Sequence, residues 1–222
     1  MYTGIIESVG SLLRINRKGN GASIYVGVPA TFNLLQRVNI GDSIATNGVC
    51  VTATALEENG FFADVSSETM QLTCYKYYSV GQKLNLELPC TPSTHLGGHI
   101  VQGHVDGVGQ ILKIEKSGEA LNVWVQAPYD LMKYIAYKGS IAVNGASLTV
   151  NDVEGDSFRL TLIPHTQSVL NFSSFKVGDK VNLEVDVIAR YLERLLLAQK
   201  EDTPAKKETG LTLSTLMQNG FV

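Results

Sequence analysis

The 222-residue sequence has few cysteines, few prolines and little charge, and these shortages exclude several classes of protein. Its three cysteines, Cys50, Cys74 and Cys90, are an odd number at unrelated spacings, which predicts free thiols in a reducing cytosol and no disulfide framework. Charged residues make up only 18% of the chain and the net charge is −3, so a nucleic acid would find no basic surface. The chain lacks both an apolar run of roughly 18 residues, as a membrane span needs, and the basic start of a signal peptide. We therefore expect a cytoplasmic protein with neither a nucleic-acid nor a membrane partner.

Motifs that bind nucleotides or metals, or that supply a hydrolytic nucleophile, are also missing. The sequence has no Walker loop, no Gly-x-Gly-x-x-Gly after a strand, no His-Glu-x-x-His and no Gly-x-Ser-x-Gly. Three histidines, His95, His99 and His104, are interrupted by glycines, so no helix aligns them, and strand spacing places the last two on opposite faces. We expect no metal site, and we find no cofactor motif.

What the sequence does contain is an internal repeat. Residues 3–15 align with residues 102–114 at an offset of 99, and residues 43–52 align with residues 140–149 at an offset of 97. The second offset also relates residues 80–87 to residues 177–184. Two registers kept over so many positions indicate a duplication. We predict two homologous domains, residues 1–90 and 98–187.

Each half has the pattern of short strands. Residues 23–29 and 121–128 alternate apolar and polar side chains, and residues 61–65 and 158–163 follow turn signals. The 21 glycines beside 6 prolines fit frequent tight turns. A small closed barrel would leave no strand edge exposed. We predict two similar all-β barrels of six or seven strands, each with a short helix, near residues 33–38 and 130–137.

The chain changes character after residue 187. Apolar residues fall at helical spacing on one stripe, which predicts a helix over residues 188–198. The stripe consists of Ile188, Tyr191, Leu192, Leu195 and Leu196. Packing on a barrel and contact with other subunits would each cover it. Residues 199–222 are expected to form a tail.

Two equivalent pockets on one chain suit a protein that handles two copies of one ligand, or two similar ligands. The halves differ at a few positions, and these mark where the two pockets diverge: Cys50 aligns with Ser147, His104 with Ile5, Lys138 with Gly41 and Asp186 with Pro89. Each difference also has a plain structural interpretation, such as a small buried thiol, a surface lysine or a helix cap.

Several blocks of this sequence resemble the riboflavin synthase family, and together they span about residues 1–198. The most specific block is the linker Gly97-Gly98-His99-Ile100-Val101-Gln102-Gly103-His104-Val105-Asp106-Gly107. The others are residues 2–7, 47–52, 137–139, 145–149, 162–166 and 181–186.

The resemblance implies a fold, an assembly and a reaction. It implies two six-stranded Greek-key barrels and a C-terminal helix that gathers three chains into a homotrimer. It further implies that two molecules of 6,7-dimethyl-8-ribityllumazine become riboflavin and 5-amino-6-(D-ribitylamino)uracil by transfer of a four-carbon unit, with no cofactor and no metal. An association with lumazine synthase is a further expectation.

The resemblance also assigns residues to two sites. Cys50, Thr52 and His104, with Ser43 close by, belong to the first barrel, and His104 is a candidate proton shuttle because imidazole titrates near neutral pH. Ser147, Thr149, Lys138, Thr166 and Asp186 belong to the second. The candidate catalytic set is His104, Cys50, Ser43, Lys138, Ser147, Thr149 and Asp186. The candidate substrate-binding set is Gly4, Ile5, Ile6, Cys50, Val51, Thr52, Asp64, Val65, Ser66, Ser67, Glu68, Thr69, Gly103, His104, Val105, Lys138, Ser147, Leu148, Thr149, Ile163, Pro164, His165, Thr166, Gln167 and Ser168.

The attacking nucleophile stays open between water, a ribityl hydroxyl and Cys50. Tyr2 stands where the family has phenylalanine, and residues 88–95 depart from the family pattern in the linker between the barrels. A related antenna protein, which binds lumazine or flavin without turnover, is the alternative. The six residues Cys50, His104, Lys138, Ser147, Thr149 and Asp186 are retained and favour the enzyme.

Overall fold

Two closed, six-stranded antiparallel barrels make up most of the protein. The computed structural model describes residues 1–201 and 213–220, and residues 1–187 form one compact unit that contains both barrels. The prediction of an all-β protein with two similar barrels is confirmed, with six strands in each.

The two barrels have the same strand order. Around the first barrel the order is β1-β2-β5-β4-β3-β6, so β2 lies beside β5 in a Greek-key arrangement, and the second barrel repeats it as β7-β8-β11-β10-β9-β12. The first-barrel strands are β1 Ser8–Lys18, β2 Gly21–Gly27, β3 Ser43–Thr46, β4 Val49–Glu57, β5 Gly60–Val65 and β6 Lys83–Glu87. The second-barrel strands are β7 Gly107–Ser117, β8 Ala120–Gln126, β9 Ser140–Val143, β10 Ala146–Glu154, β11 Ser157–Leu162 and β12 Lys180–Val185.

Each barrel carries two short α-helices, whereas the sequence predicted one. Helices α1 Leu34–Arg37 and α3 Tyr129–Met132 overlap the two predicted segments but are shorter, because turns and irregular backbone take up the remaining residues. The additional helices are α2 Ser67–Leu72 and α4 Pro164–Val169. They follow β5 and β11 at equivalent positions, and α2 lies at the mouth of the first barrel.

Alternating side chains fill each barrel with a core of its own. The first core is centred on residues such as Leu12, Ile24 and Phe61, and the second on Ile111, Val125 and Phe158. The ladders shift register at equivalent places in both barrels, near residues 12–14 and 53–55 and near residues 111–113 and 150–152. Such bulges bend strands, which helps a short sheet to close.

The two barrels meet through reciprocal contacts between equivalent residues. Tyr2 and Val101, which are 99 residues apart, form an antiparallel bridge. The Nδ2 of Asn85 donates to the backbone oxygen of Asn144 at 3.0 Å, and the Nδ2 of Asn182 donates to that of Asn47 at 2.8 Å. Such paired contacts are those of an approximate twofold axis between the repeats.

The remaining residues, 188–222, are assigned to a second unit. Helix α5 runs from Val187 to Glu201 and helix α6 from Leu213 to Gln218. Part of the predicted tail, residues 202–212 and 221–222, lies outside the described residues. Among the helices of the described residues, none has the length and apolar character needed to cross a membrane.

Candidate functional site

A cavity of about 240 Å³ opens at the mouth of the first barrel. It brings together the start of β4, the helix α2 and a short piece of the linker between the repeats. The lining residues are Val49, Cys50, Glu68, Thr69, Leu72, Thr73, Gly103, His104 and Val105. Cys50 and His104 are far apart in sequence but share this cavity.

The linker lies against the first barrel because hydrogen bonds to both barrels fix its backbone. The oxygen of Gly103 accepts a hydrogen bond from the backbone N–H of Cys50 at 3.0 Å. Gly103 has a φ of +80°, and a Cβ there would lie 2.7 Å from the Cβ of Cys50, so only glycine fits. On its other side, the carboxylate of Glu184 accepts from the backbone N–H groups of Gln102, Gly103 and His104 at 2.5, 3.0 and 3.0 Å. Burial raises the pKa of Glu184 to about 7, against the opposing effect of these donors.

Tyr2 adds a polar contact that the sequence analysis did not assign to the site. Its phenol donates to Cys50 Sγ at 3.2 Å, and the Ser43 hydroxyl is a second partner of that phenol. Ser43 in turn lies directly opposite Thr52 in the β3–β4 ladder. Tyr2 is fully buried, and this burial raises the pKa of its phenol well above the ordinary value. Two candidate residues of the first site, Cys50 and Ser43, are thus connected through one neutral phenol.

The second site repeats this construction with the start of the chain in place of the linker. The oxygen of Gly4 accepts from the backbone N–H of Ser147 at 2.8 Å, and Ile6 packs against the core of the second barrel. The carboxylate of Glu87, which is the equivalent of Glu184, accepts from the backbone N–H groups of Thr3 and Gly4 at 2.6 and 3.0 Å. We call residues 1–6 and 100–105, which precede the first strand of each repeat, the leading segments. Each barrel therefore contacts the leading segment of the other repeat.

Ser147 has a side-chain partner that the sequence analysis missed. The Nδ1 of His99 lies 2.7 Å from Ser147 Oγ. His99 was considered only as a possible metal ligand, although its place in the specific linker block was a usable signal. Burial lowers the pKa of His99, and the negative charge of Asp186 acts in the opposite direction.

Lys138 and Asp186 occupy special positions near the second barrel. Lys138 has a φ of +64° where its equivalent, Gly41, has +96°, so a lysine has replaced glycine at a left-handed position. A strained backbone kept at such a position points to a functional requirement. Lys138 is exposed and Asp186 is half-buried immediately before α5.

The other candidates divide into exposed and core-facing groups. Thr149 is exposed opposite Ser140. Residues 163–168 form the start of α4, and residues 64–69 end β5 and begin α2, where Ser66 caps the helix by accepting from the N–H of Thr69 at 3.1 Å. The side chains of Val51 and Val65 pack into the first core, so only their backbone groups can face a ligand, whereas Leu148 is half-buried against the second core.

A larger cavity, of about 810 Å³, lies along residues 87–97 of the linker. Ile5 lines it together with Glu7, Arg37 and Asp42, but it contains none of the candidate catalytic residues. Size alone therefore does not select the candidate site, and the smaller cavity is the one that Cys50 and His104 line. Within residues 1–201 and 213–220, no group of three or more His, Cys, Asp or Glu side chains is arranged to hold a metal ion.

Comparison with known proteins identifies the class to which this architecture belongs. The Lumazine binding domain family model matches the chain twice, over residues 3–89 and 102–186. The fold is similar to that of LumP in complex with riboflavin, with a TM-score of 0.77 and 24% identity over 83% of this chain and 99% of that chain. The protein is a tandem-repeat member of the lumazine-binding class.

Sequence relatives define the family more narrowly. The chain is 47% identical to riboflavin synthase of Photobacterium phosphoreum over 222 residues, covering 100% of both chains. It is 37% identical to riboflavin synthase of Bacillus subtilis over 221 residues, again covering 100% of both chains. It is 38% identical to that of Schizosaccharomyces pombe over 205 residues, covering 91% of this chain and 97% of the relative. The chain belongs to the riboflavin synthase family.

Proposed function

We propose that this protein converts two molecules of 6,7-dimethyl-8-ribityllumazine into riboflavin and 5-amino-6-(D-ribitylamino)uracil. The reaction is a transfer of a four-carbon unit between two copies of one substrate. The observation that carries the proposal is the paired construction of two sites, one around Cys50 and one around Ser147, each completed by the leading segment of the other repeat. Family membership over the full chain supports the same reaction.

The chemistry needs two flat ring systems held face to face and protons moved between them. The 7-methyl group of the substrate is acidic because its carbanion delocalises into the electron-poor ring. Holding two reactants in register removes much of the entropic barrier. His104 is exposed at the cavity and is proposed as the group that moves protons, because an imidazole carries one nitrogen that can donate a hydrogen bond and one that can accept. Cys50, Ser43, Ser147, Thr149, Lys138 and Asp186 are proposed to hold the substrates and the charge that develops on them.

The active assembly is proposed to be a homotrimer in which the first barrel of one chain faces the second barrel of a neighbour. The cavity of about 240 Å³ is smaller than the roughly 300–1,000 Å³ of usual ligand sites, so a second surface is needed to cover one bound ring and align another. Helix α5 offers apolar side chains for such contacts, since Ile188, Tyr191, Leu192 and Leu195 are each more than half exposed. We further propose that the protein acts in the cytoplasm. An association with lumazine synthase stays a prediction that co-sedimentation would test.

The decisive experiment is incubation of the purified protein with 6,7-dimethyl-8-ribityllumazine and no additive. We expect riboflavin absorbance to appear with one riboflavin formed for every two lumazines consumed. Tight binding of fluorescent lumazine with no loss of substrate would instead identify an antenna protein and would refute the enzyme.

A further inference from the structure

We propose that His99 is a positioning residue of the second-barrel site, where its imidazole fixes the hydroxyl of Ser147 for the bound ligand. The proposal deepens the proposed function and rests on it. The observation that carries it is the 2.7 Å separation between His99 Nδ1 and Ser147 Oγ. Neither the composition nor the repeat alignment pairs these two residues.

The backbone of Ser147 leaves its side chain little choice of place. Its N–H donates to the oxygen of Gly4 at 2.8 Å. A Cβ at Gly4 or at Gly98 would come within 2.6 or 2.7 Å of the Ser147 Cβ, so the side chain sits tightly between two glycines. Because the Cβ of Ser147 is held in place, the direction of its hydroxyl hydrogen depends on the hydrogen-bond partner of Oγ.

His99 is itself held in place and has one side-chain partner. Only 8% of the residue is exposed, and its backbone N–H donates to the oxygen of Thr3 at 3.2 Å. The Nε2 atom has no hydrogen-bond partner among the residues that the structure describes. Ser147 is therefore the group that orients the ring, and the ring orients Ser147 in return.

A neutral imidazole suits this arrangement. Burial lowers the pKa of His99, although Asp186 opposes the shift, so the neutral form is favoured at neutral pH. A neutral ring has one N–H, and Nδ1 then either donates to Ser147 Oγ or accepts from it. In both cases one hydrogen-bonding direction of the hydroxyl is used, and the remaining directions are left for a ligand.

The first site provides an independent parallel. Cys50, the repeat equivalent of Ser147, receives a hydrogen bond from Tyr2 at 3.2 Å. Tyr2 aligns with Val101 in the repeat and not with His99, so the two partners arose at different positions. In the first site Tyr2 contacts Cys50 Sγ, and in the second site His99 contacts Ser147 Oγ, the equivalent atom of the other repeat. The two sites are thereby made chemically different.

A double-mutant cycle tests whether His99 acts through Ser147. The cycle compares His99→Leu, Ser147→Ala and the double variant by maximal turnover and KM for the lumazine substrate. We expect His99→Leu to lower maximal turnover about fivefold to tenfold, the effect of one lost hydrogen bond, with a smaller change in KM. The double variant should match Ser147→Ala, because the partner of His99 is already gone. Losses that multiply in the double variant would overturn the proposal.

A conservative pair of variants separates positioning from folding. An amide in His99→Asn reaches the place of Nδ1, whereas an amide in His99→Gln reaches that of Nε2. We expect the Asn variant to recover turnover to within about threefold of the wild type and the Gln variant not to recover it. Recovery by Gln alone would refute the proposal even if His99→Leu fails to fold. The matched control is His95→Leu, an exposed histidine of the same linker, which should leave turnover unchanged.

The outcome for the proposed function is read separately. Absence of turnover in the wild-type protein would refute the enzyme but not the positioning role. The same cycle is then measured on riboflavin affinity by fluorescence quenching. A double variant that binds as Ser147→Ala does supports the role of His99, and multiplied losses of affinity overturn it.

Discussion

Cys50 and Ser147 occupy the same position of the repeat and present different atoms to their barrel mouths. The sulfur of Cys50 accepts from a phenol, and the hydroxyl of Ser147 pairs with an imidazole. A hydroxyl is a stronger hydrogen-bond donor and acceptor than a thiol. At the scale of single residues, the two repeats therefore place different hydrogen-bonding atoms at equivalent positions.

Replacement of Tyr2 tests the contact at the first site. Tyr2→Phe keeps the buried ring and removes only the hydroxyl that connects Cys50 with Ser43. We expect the free energy of unfolding to change by less than about 1 kcal/mol, because Cys50 and Ser43 are only half-buried and water can replace the phenol. Turnover should change by about twofold to fivefold, since the thiol is less well oriented. Urea denaturation and lumazine turnover measure the two effects. Identical turnover would show that the phenol only fills space.

Replacement of His104 tests the proposed proton shuttle. The backbone N–H of His104 stays on Glu184 in His104→Ala, so the linker keeps its place and only the imidazole is lost. We expect turnover to fall about 10²-fold, in the range of general acid–base catalysis, while lumazine binding changes less than threefold. His95→Ala is the control on the same linker. Unchanged turnover in His104→Ala would remove this imidazole from the mechanism.

The sequence could identify the individual candidates but not their partners. Cys50 and His104 stand in recognisable blocks, so a comparison of blocks finds them. Tyr2 and His99 each contact a residue that lies 48 positions away in the sequence, and no local sequence pattern predicts such a pairing. Glu87 and Glu184 were also overlooked, although the Asn-Leu-Glu motif that contains each of them is repeated.

At the scale of elements, strands and helices differed in how well the sequence predicted them. Alternation and glycine turns were sufficient for β2, β5, β8 and β11. The helices α2 and α4 were missed, because a six-residue helix buries at most one side chain and so leaves no periodic signal. Helix α2 buries Met70 alone, and α4 buries no residue. Helix α2 lines the cavity that also contains Cys50 and His104, so one of the two missed helices lies beside candidate residues.

The β3–β4 turn packs directly against the β9–β10 turn. We therefore expect that adding one methyl group at this contact lowers the stability of the protein. Gly48 has a φ of +77°, and a Cβ there would lie 2.6 Å from the backbone nitrogen of Gly145. Gly48→Ala should therefore cost more than the roughly 1–2 kcal/mol of a left-handed alanine, because the neighbouring backbone must also move. Gly19→Ala is the matched control, since Gly19 has a φ of +58° and nothing within 4 Å. Urea midpoints of the two variants give the comparison, and equal losses would contradict a tight contact between the turns.

At the scale of the whole molecule, the exchange of leading segments could not have been predicted from the repeat. Residues 1–6 and 100–105 have the same relation to their own barrels in sequence. In the structure each segment is held by a glutamate of its own barrel and also contacts the other barrel, Gly4 at Ser147 and Gly103 at Cys50. This exchange makes each site depend on both repeats, so one barrel alone would lack a wall of its cavity.

The exposed apolar side chains of helix α5 allow a test of whether turnover requires the proposed trimer. Its apolar stripe is exposed in the single chain, and each leucine that leaves water on association contributes roughly 1.5–3 kcal/mol. The double variant Leu192→Glu with Leu195→Glu should therefore shift the proposed trimer to monomer, as light scattering would show. Turnover should fall by more than tenfold, because the proposed reaction needs two barrels from different chains. Binding of one lumazine at the Cys50 cavity should persist, since that cavity is built within one chain.

The control Arg194→Glu makes the same change in net charge away from the apolar stripe and should leave the proposed trimer intact. A monomeric double variant with full turnover would show that one chain is sufficient for the reaction.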